Sequence, residues 1–245
     1  MRSIVRNTAA AHEVQRLRAQ LERVQGRRLD APVQPAHPVL SELLPGRGLR
    51  PGAAYAVGSS MALLFALLAE PSQAGSWCAA IGMPHLGAEA AAHAGVELSR
   101  LVLIPDPGAR WLAVTATVAE VVPVVAVRPA ARASAAEVSR LTARLRGRGA
   151  VLLVQGAWPQ AEATIDLADD PRWSGLGAGH GLLSARAVTL TVSSRRSPAP
   201  RRARLLLPAP DGTIAPAAER TAAVRMPEER VTAAHDAVVP MARAV

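Results

Sequence analysis

Lysine is missing from this chain: among its 245 residues, all 28 basic side chains are arginine. Any chemistry that needs a lysine amine, whether a Schiff base or a phosphate-binding ammonium, is excluded from the outset. Aromatic residues are almost as scarce, with one Tyr, one Phe and four Trp, which leaves little material for a base-stacking platform on single-stranded nucleic acid. Cys78 is the single cysteine and lies in the apolar run from Trp77 to Ile81, so no disulfide framework exists and a reducing cytoplasm is the expected compartment. Long apolar runs are lacking too. Residues 51–69 are uncharged, but Gly52, Gly58, Ser59 and Ser60 interrupt them, and the continuous part from Met61 to Ala69 spans only about 15 Å as a helix, half a bilayer core. Arg2, Arg6, Arg16 and Arg18 precede no apolar stretch of signal-peptide length, so neither secretion nor membrane insertion is expected.

The missing lysine bears directly on the segment Gly52-Ala-Ala-Tyr-Ala-Val-Gly58-Ser-Ser-Met-Ala-Leu-Leu-Phe-Ala-Leu-Leu-Ala69, which has the layout of an apolar strand, a Gly-Ser turn and a buried helix. A phosphate-binding loop in this place reads Gly-x4-Gly-Lys-Ser/Thr, with backbone N–H groups and the lysine on phosphate and the hydroxyl on magnesium. Counted from Gly58, those three positions fall at Leu63, Leu64 and Phe65. The loop Gly58, Ser59, Ser60 is therefore degenerate, and no cofactor is expected there. A nucleophile elbow is excluded as well, because Ala62 stands where Gly-x-Ser-x-Gly needs its second glycine.

Four parts are expected along the chain. Residues 1–30 carry Val14, Leu17, Leu21 and Val24 at spacings of three, four and three, a narrow apolar seam on an otherwise charged helix that calls for a partner or a second copy. Residues 31–38 form a Pro-rich linker. Residues 39–212 form the core, and residues 213–245 a tail rich in Ala, Arg and Glu, expected to be partly disordered. In the core, apolar runs at 53–57, 76–81, 101–104, 121–127 and 150–154 alternate with Ala-rich helical stretches at 60–69, 86–94, 109–119 and 134–147. That order predicts an α/β domain with a mostly parallel sheet. After residue 155 the helices stop, and strands over 162–168, 185–193 and 201–207 predict an antiparallel C-terminal extension.

The segments His37–Gly52, Gly75–Gly82, Ala94–Pro107 and Trp173–Gly181, with Arg186 and Pro200–Pro208, resemble the RecA-like P-loop NTPase fold and, within it, the actinobacterial ImuA-type accessory proteins of the SOS translesion mutasome. The resemblance covers about residues 38–212. It implies a RecA-like core and a place beside an ImuB-like inactive Y-family polymerase and an error-prone polymerase III alpha-type subunit. It also marks departures. Arg128 follows the strand whose counterpart ends in a magnesium-organising aspartate, Gly82-Met-Pro-His85 carries no catalytic glutamate, and Gln155 resembles a glutamine that senses the γ-phosphate. The expectation is a protein without ATPase activity.

The net charge of +9 suggests an acidic partner, nucleic acid first, although Arg with abundant Ala, Gly, Val and Pro also follows from a GC-rich genome. RecA-like filaments grip DNA through two long loops flanking the glutamine-bearing strand. Here only 22 residues separate Arg128 from Val151, and six separate Gln155 from Glu162. The remaining candidates for a weak DNA contact are Arg195, Arg196, Arg201, Arg202 and Arg204, five arginines in ten residues, with a charge-guarded edge hairpin as the plainer explanation. His85, His93 and His180 lack metal-ligand spacing, so no metal is expected. The functional expectation is a noncatalytic scaffold of an error-prone translesion complex in the SOS response; the alternative is a DNA-binding recombination mediator that modulates RecA.

Overall fold

Six parallel strands form the centre of the molecule; five arise where the sequence places four or more apolar residues in a row, and the sixth, over Ala163–Leu167, alternates. The computed structural model describes residues 32–217, apart from 169, 178, 179 and 198. The seam Val14, Leu17, Leu21, Val24 and most of the tail therefore lie outside the described residues. The elements run α1 (Pro38–Leu43), β1 (Ala54–Val57), α2 (Met61–Gln73), β2 (Cys78–Ile81), α3 (Ala88–His93), β3 (Leu101–Ile104), α4 (Trp111–Val118), β4 (Val124–Val127), α5 (Ala135–Arg148), β5 (Val151–Gln155), β6 (Ala163–Leu167), β7 (Arg172–Gly177), β8 (His180–Ser194), β9 (Arg201–Leu206) and β10 (Ala215–Pro216). Together they make an α/β fold around one mixed ten-stranded sheet in the order β10-β9-β8-β6-β1-β5-β4-β2-β3, with β7 paired to β8 alone.

Sequence and capping set the helix limits. Ser60 caps α2 by accepting from the Leu63 N–H, and Ser134 and Glu137 form a capping box at the start of α5. Gly149 ends α5 in the left-handed conformation, at φ 71°. Alternation along the strands then sorts side chains to two faces. Tyr55, Val57, Cys78, Val124 and Leu153 pack with α1, α2 and α3 on one side; Ala56, Ile81, Val125 and Leu152 pack with Trp111 of α4 and Val138, Leu141 and Leu145 of α5 on the other.

Three details differ from the sequence reading. β6 pairs parallel to β1, through Tyr55↔Ala163 to Val57↔Ile165, so the antiparallel extension starts one strand later than expected. The stretch 172–177, which lacks a β-branched run, is a strand because β8 is long enough to pair it beyond the sheet. Strand pairing also reaches Ala215 and Pro216, which bond to β9 beyond residue 212.

Past β1 the layering changes. Ile165, Val188, Leu190, Val192 and Leu205 join the first core, whereas the opposite face of β6, β8 and β9 presents Thr164, Asp166, Thr189, Thr191, Arg202 and Arg204. Among the described residues no helix is long and apolar enough to cross a membrane.

Candidate functional site

The carboxyl ends of β1, β4, β5 and β6 converge at the turn the sequence singled out, the usual place for a ligand in an open α/β sheet. Only Gly58, Ser59 and Ser60 link β1 to α2. The Gly58 N–H donates to the Ile165 carbonyl at 2.9 Å, and Ser60 Oγ accepts from the Leu63 N–H at 3.3 Å. A side chain at position 58 would have to displace the Asp166 carboxylate. The sheet thus takes the Gly58 N–H and the helix cap takes the Leu63 N–H.

Three side chains meet on one side of it. Arg128, the first residue after β4, donates from Nε to Gln155 Oε1 at 2.9 Å. The Gln155 amide donates to the Ser59 carbonyl at 3.4 Å and to Met61 Sδ at 3.6 Å, and Arg128 Nη2 lies 3.8 Å from the same sulfur. Gln155, at the end of β5, is buried, and these bonds satisfy its amide without any ligand. Gly82, after β2, takes φ 74°, and a side chain there would overlap the Arg128 carbonyl. So the cation that follows β4 and the amide that ends β5 are partners of each other.

Two cavities flank this network. One of about 710 Å³ opens between the segments that follow β4 and β5, lined by Arg132, Gln155 and Trp158; another of about 470 Å³ lies between Ser59, Ser60, Asp166 and Arg186. Among the described residues no group of His, Cys, Asp and Glu is arranged to hold a metal ion.

The five arginines proposed for DNA contact do not form one surface. Arg196 pairs with Glu162 at 2.9 Å, Arg201 donates to the Glu42 carbonyl at 3.2 Å, and Arg204 is clamped by Asp170 and bonds Thr189 Oγ1 at 3.0 Å. Strand alternation sends Arg201 to the α1 side and Arg202 and Arg204 to the open face. Arg195 and Arg202 remain exposed. Asp170 is held below the usual carboxylate range, first by the Thr189 hydroxyl and then by the Thr189 amide and Arg204.

Comparison with known proteins locates part of this chain. Residues 42–160 match the family model described as the MT3502 N-terminal domain. An uncharacterized protein of Mycobacterium tuberculosis, Rv3395c, is 34% identical over 112 residues, which cover 45% of this chain and 55% of that relative. The chain thus matches about half the length of the curated relative. The family match takes in β1 to β5 with the Gly58 turn, Arg128 and Gln155, and ends before β6.

One feature went unforeseen. β7 and the first half of β8 form a hairpin that exposes Trp173, Leu176, Leu182 and Leu183. Its signal in the sequence is the glycine spacing, Gly175, Gly177, Gly179 and Gly181 alternating with other residues; Gly175 and Gly181 adopt φ 110° and 115°, values that a side chain resists.

Proposed function

We propose that this protein is a noncatalytic RecA-like scaffold, the accessory subunit of an error-prone translesion DNA synthesis complex in the SOS response. The observation that carries the reading is the self-satisfied network of Arg128, Gln155 and Met61 in front of a three-residue turn. A domain with the strand-turn-helix layout, in which Arg128, Gln155 and Met61 beside the turn bond one another and no lysine is present, is suited to binding partners rather than turning over nucleotide. The α/β sheet with its parallel centre and antiparallel extension is the architecture that the resemblance implies. In the proposed assembly its partners are an inactive Y-family polymerase-like protein and an error-prone replicative-type polymerase.

Thermal melting with magnesium and ATP tests the first half of the reading. A bound nucleotide raises the melting temperature with the logarithm of its excess over Kd, so no shift is expected, and a clear rise overturns the noncatalytic assignment. Co-purification with the two polymerase-like proteins tests the second half.

Arg195 and Arg202 favour a second reading, a DNA-binding recombination mediator, because the other three arginines of the cluster are engaged within the protein and these two are not. If they bind phosphate, replacing both by Ala weakens DNA binding and flattens its salt dependence by about two counterions. An unchanged slope removes this reading.

A further inference from the structure

The β7–β8 hairpin stands apart from the rest of the sheet. β8 pairs with β6 over Leu190–Ser194 and with β9 over Ala187–Val192, whereas its first residues pair only with β7. The hairpin therefore projects as a two-stranded ribbon, a form that is marginal in water unless something packs against it. Its apolar side chains are not gathered on one face. Trp173 stands opposite Arg186, and Leu176 opposite Gly181, across a register shift between Ser174 and Leu176. Alternation along β8 puts Leu182 with Arg186 and Trp173 on one face, and Leu183 with Gly181 and Leu176 on the other.

Exposure is high on both faces: Leu182 84%, Leu176 61%, Leu183 54% and Trp173 49%. A flat surface could cover one face only; a groove covers both. Charge narrows the occupant further. Residues 171–187 contain Arg172 and Arg186 and no carboxylate; of the two aspartates just before them, Asp170 is taken by Arg204 and Asp169 lies outside the described residues. Arg186 lies 5.5 Å from the Trp173 ring centroid and donates to the Leu207 carbonyl at 2.7 Å, which fixes the root of the ribbon.

We infer that the β7–β8 hairpin is the docking element of the scaffold, inserted through Leu182, Leu183 and Leu176 into a partner protein's groove with an apolar floor and an acidic rim. The inference rests on the scaffold reading, and it names the surface which that reading leaves open. The lone aromatic and two arginines are a poor match for single-stranded DNA or an anionic bilayer, which call for repeated stacking sites or a larger basic patch.

Titration of the full chain with the inactive Y-family polymerase-like partner tests it, with three variants beside the parent: Leu182→Asp/Leu183→Asp, Leu182→Ser and Arg172→Glu. The expected result is binding by the parent, weakening by at least about tenfold in the double variant and less in the other two, at unchanged melting temperature. A photocrosslinker at position 182 is expected to capture the partner, which keeps the test decisive should the double variant fail to fold. Parent and variants binding alike, with no crosslink, overturns the hairpin while the scaffold stands. No binding by the parent overturns the scaffold reading and this inference with it. Loss of binding to anionic vesicles or to oligo-dT in the variants, with partner binding intact, reassigns the hairpin and overturns the inference.

Discussion

The parallel centre and the antiparallel extension share one sheet but are stabilised differently. In the centre, β1, β2, β4 and β5 are buried on both faces, between α1, α2 and α3 on one side and α4 and α5 on the other. From β6, the edge of the parallel part, outward into the extension, β6, β8 and β9 bury one face and leave the other to Thr, Ser, Asp and Arg, while β7 and the start of β8 bury neither. A parallel strand needs helices to return the chain, and those helices supply its cover; hairpin-linked strands need none, so an open face costs nothing as long as it is polar. The centre is accordingly the part covered on both faces, and the extension the part that leaves a face and a ribbon exposed.

The sharpest way to break this contrast is to remove equal volumes from the two regions. Leu67→Ala in α2, fully buried, is expected to cost about 2–5 kcal/mol in chemical denaturation. Leu182→Ala at the hairpin tip is expected to stay within about 0.5 kcal/mol of the parent. A comparable loss at both sites means that the hairpin belongs to the core.

A smaller effect is expected where the two regions are joined. The Tyr55 hydroxyl accepts the Arg50 N–H at 2.8 Å, and burial pushes its pKa up to about 12. Tyr55→Phe leaves that N–H without an acceptor, at an expected cost of about 1–3 kcal/mol by denaturant titration. Beside it, Glu162 takes Arg50 and Arg196 at 2.9 Å each, tying the turn after β8 to the segment before β1. Both arginines are substantially exposed, so Glu162→Gln is expected to cost about 1 kcal/mol or less.

Chemical reactivity sharpens the comparison without mutation. Cys78 in β2 is buried, and desolvation alone pushes its thiol up to about 12, so it stays protonated at neutral pH. Alkylation is expected only on unfolding, at a rate set by opening of the centre; rapid labelling of the folded protein contradicts a closed core.

The smallest effect belongs to the open face. Because the Asp170 pKa is lower in the folded protein than in the unfolded chain, its contribution to stability is present above the ordinary carboxylate range and is lost as pH falls through the folded value. The amide of Thr189, whose N–H donates to Asp170 at 3.1 Å, is expected to lose protection, relative to its intrinsic exchange rate at each pH, on acidification before any amide of β4 or β5 does. Simultaneous exchange in both regions shows that they open as one unit.

Periodicity and turn chemistry determined the centre. Five apolar runs, the first four each followed by a helical stretch, specify five strands joined by four helices, and the Leu63, Leu64 and Phe65 positions already exclude a lysine-bearing phosphate loop. The order of those strands was not legible, because crossovers such as β1 to β2, which skips two positions, leave no local mark in composition. The direction of β6 was settled by its neighbours, since its alternating pattern would pair with β1 in either sense. Arg128, Gln155 and Met61 lie 27 to 94 residues apart, and nothing in their spacing says that one guanidinium, one amide and one sulfur meet in front of Ser59. Leu182 and Leu183 precede the strand expected over 185–193, and nothing local says that β8 runs back through them beyond the reach of β6 and β9. Local pattern is a property of neighbours in the chain, and so the sequence could specify elements; closure of the Gly58 turn and exposure of the hairpin depend on which elements stop where, and only packing of the whole sheet decided that.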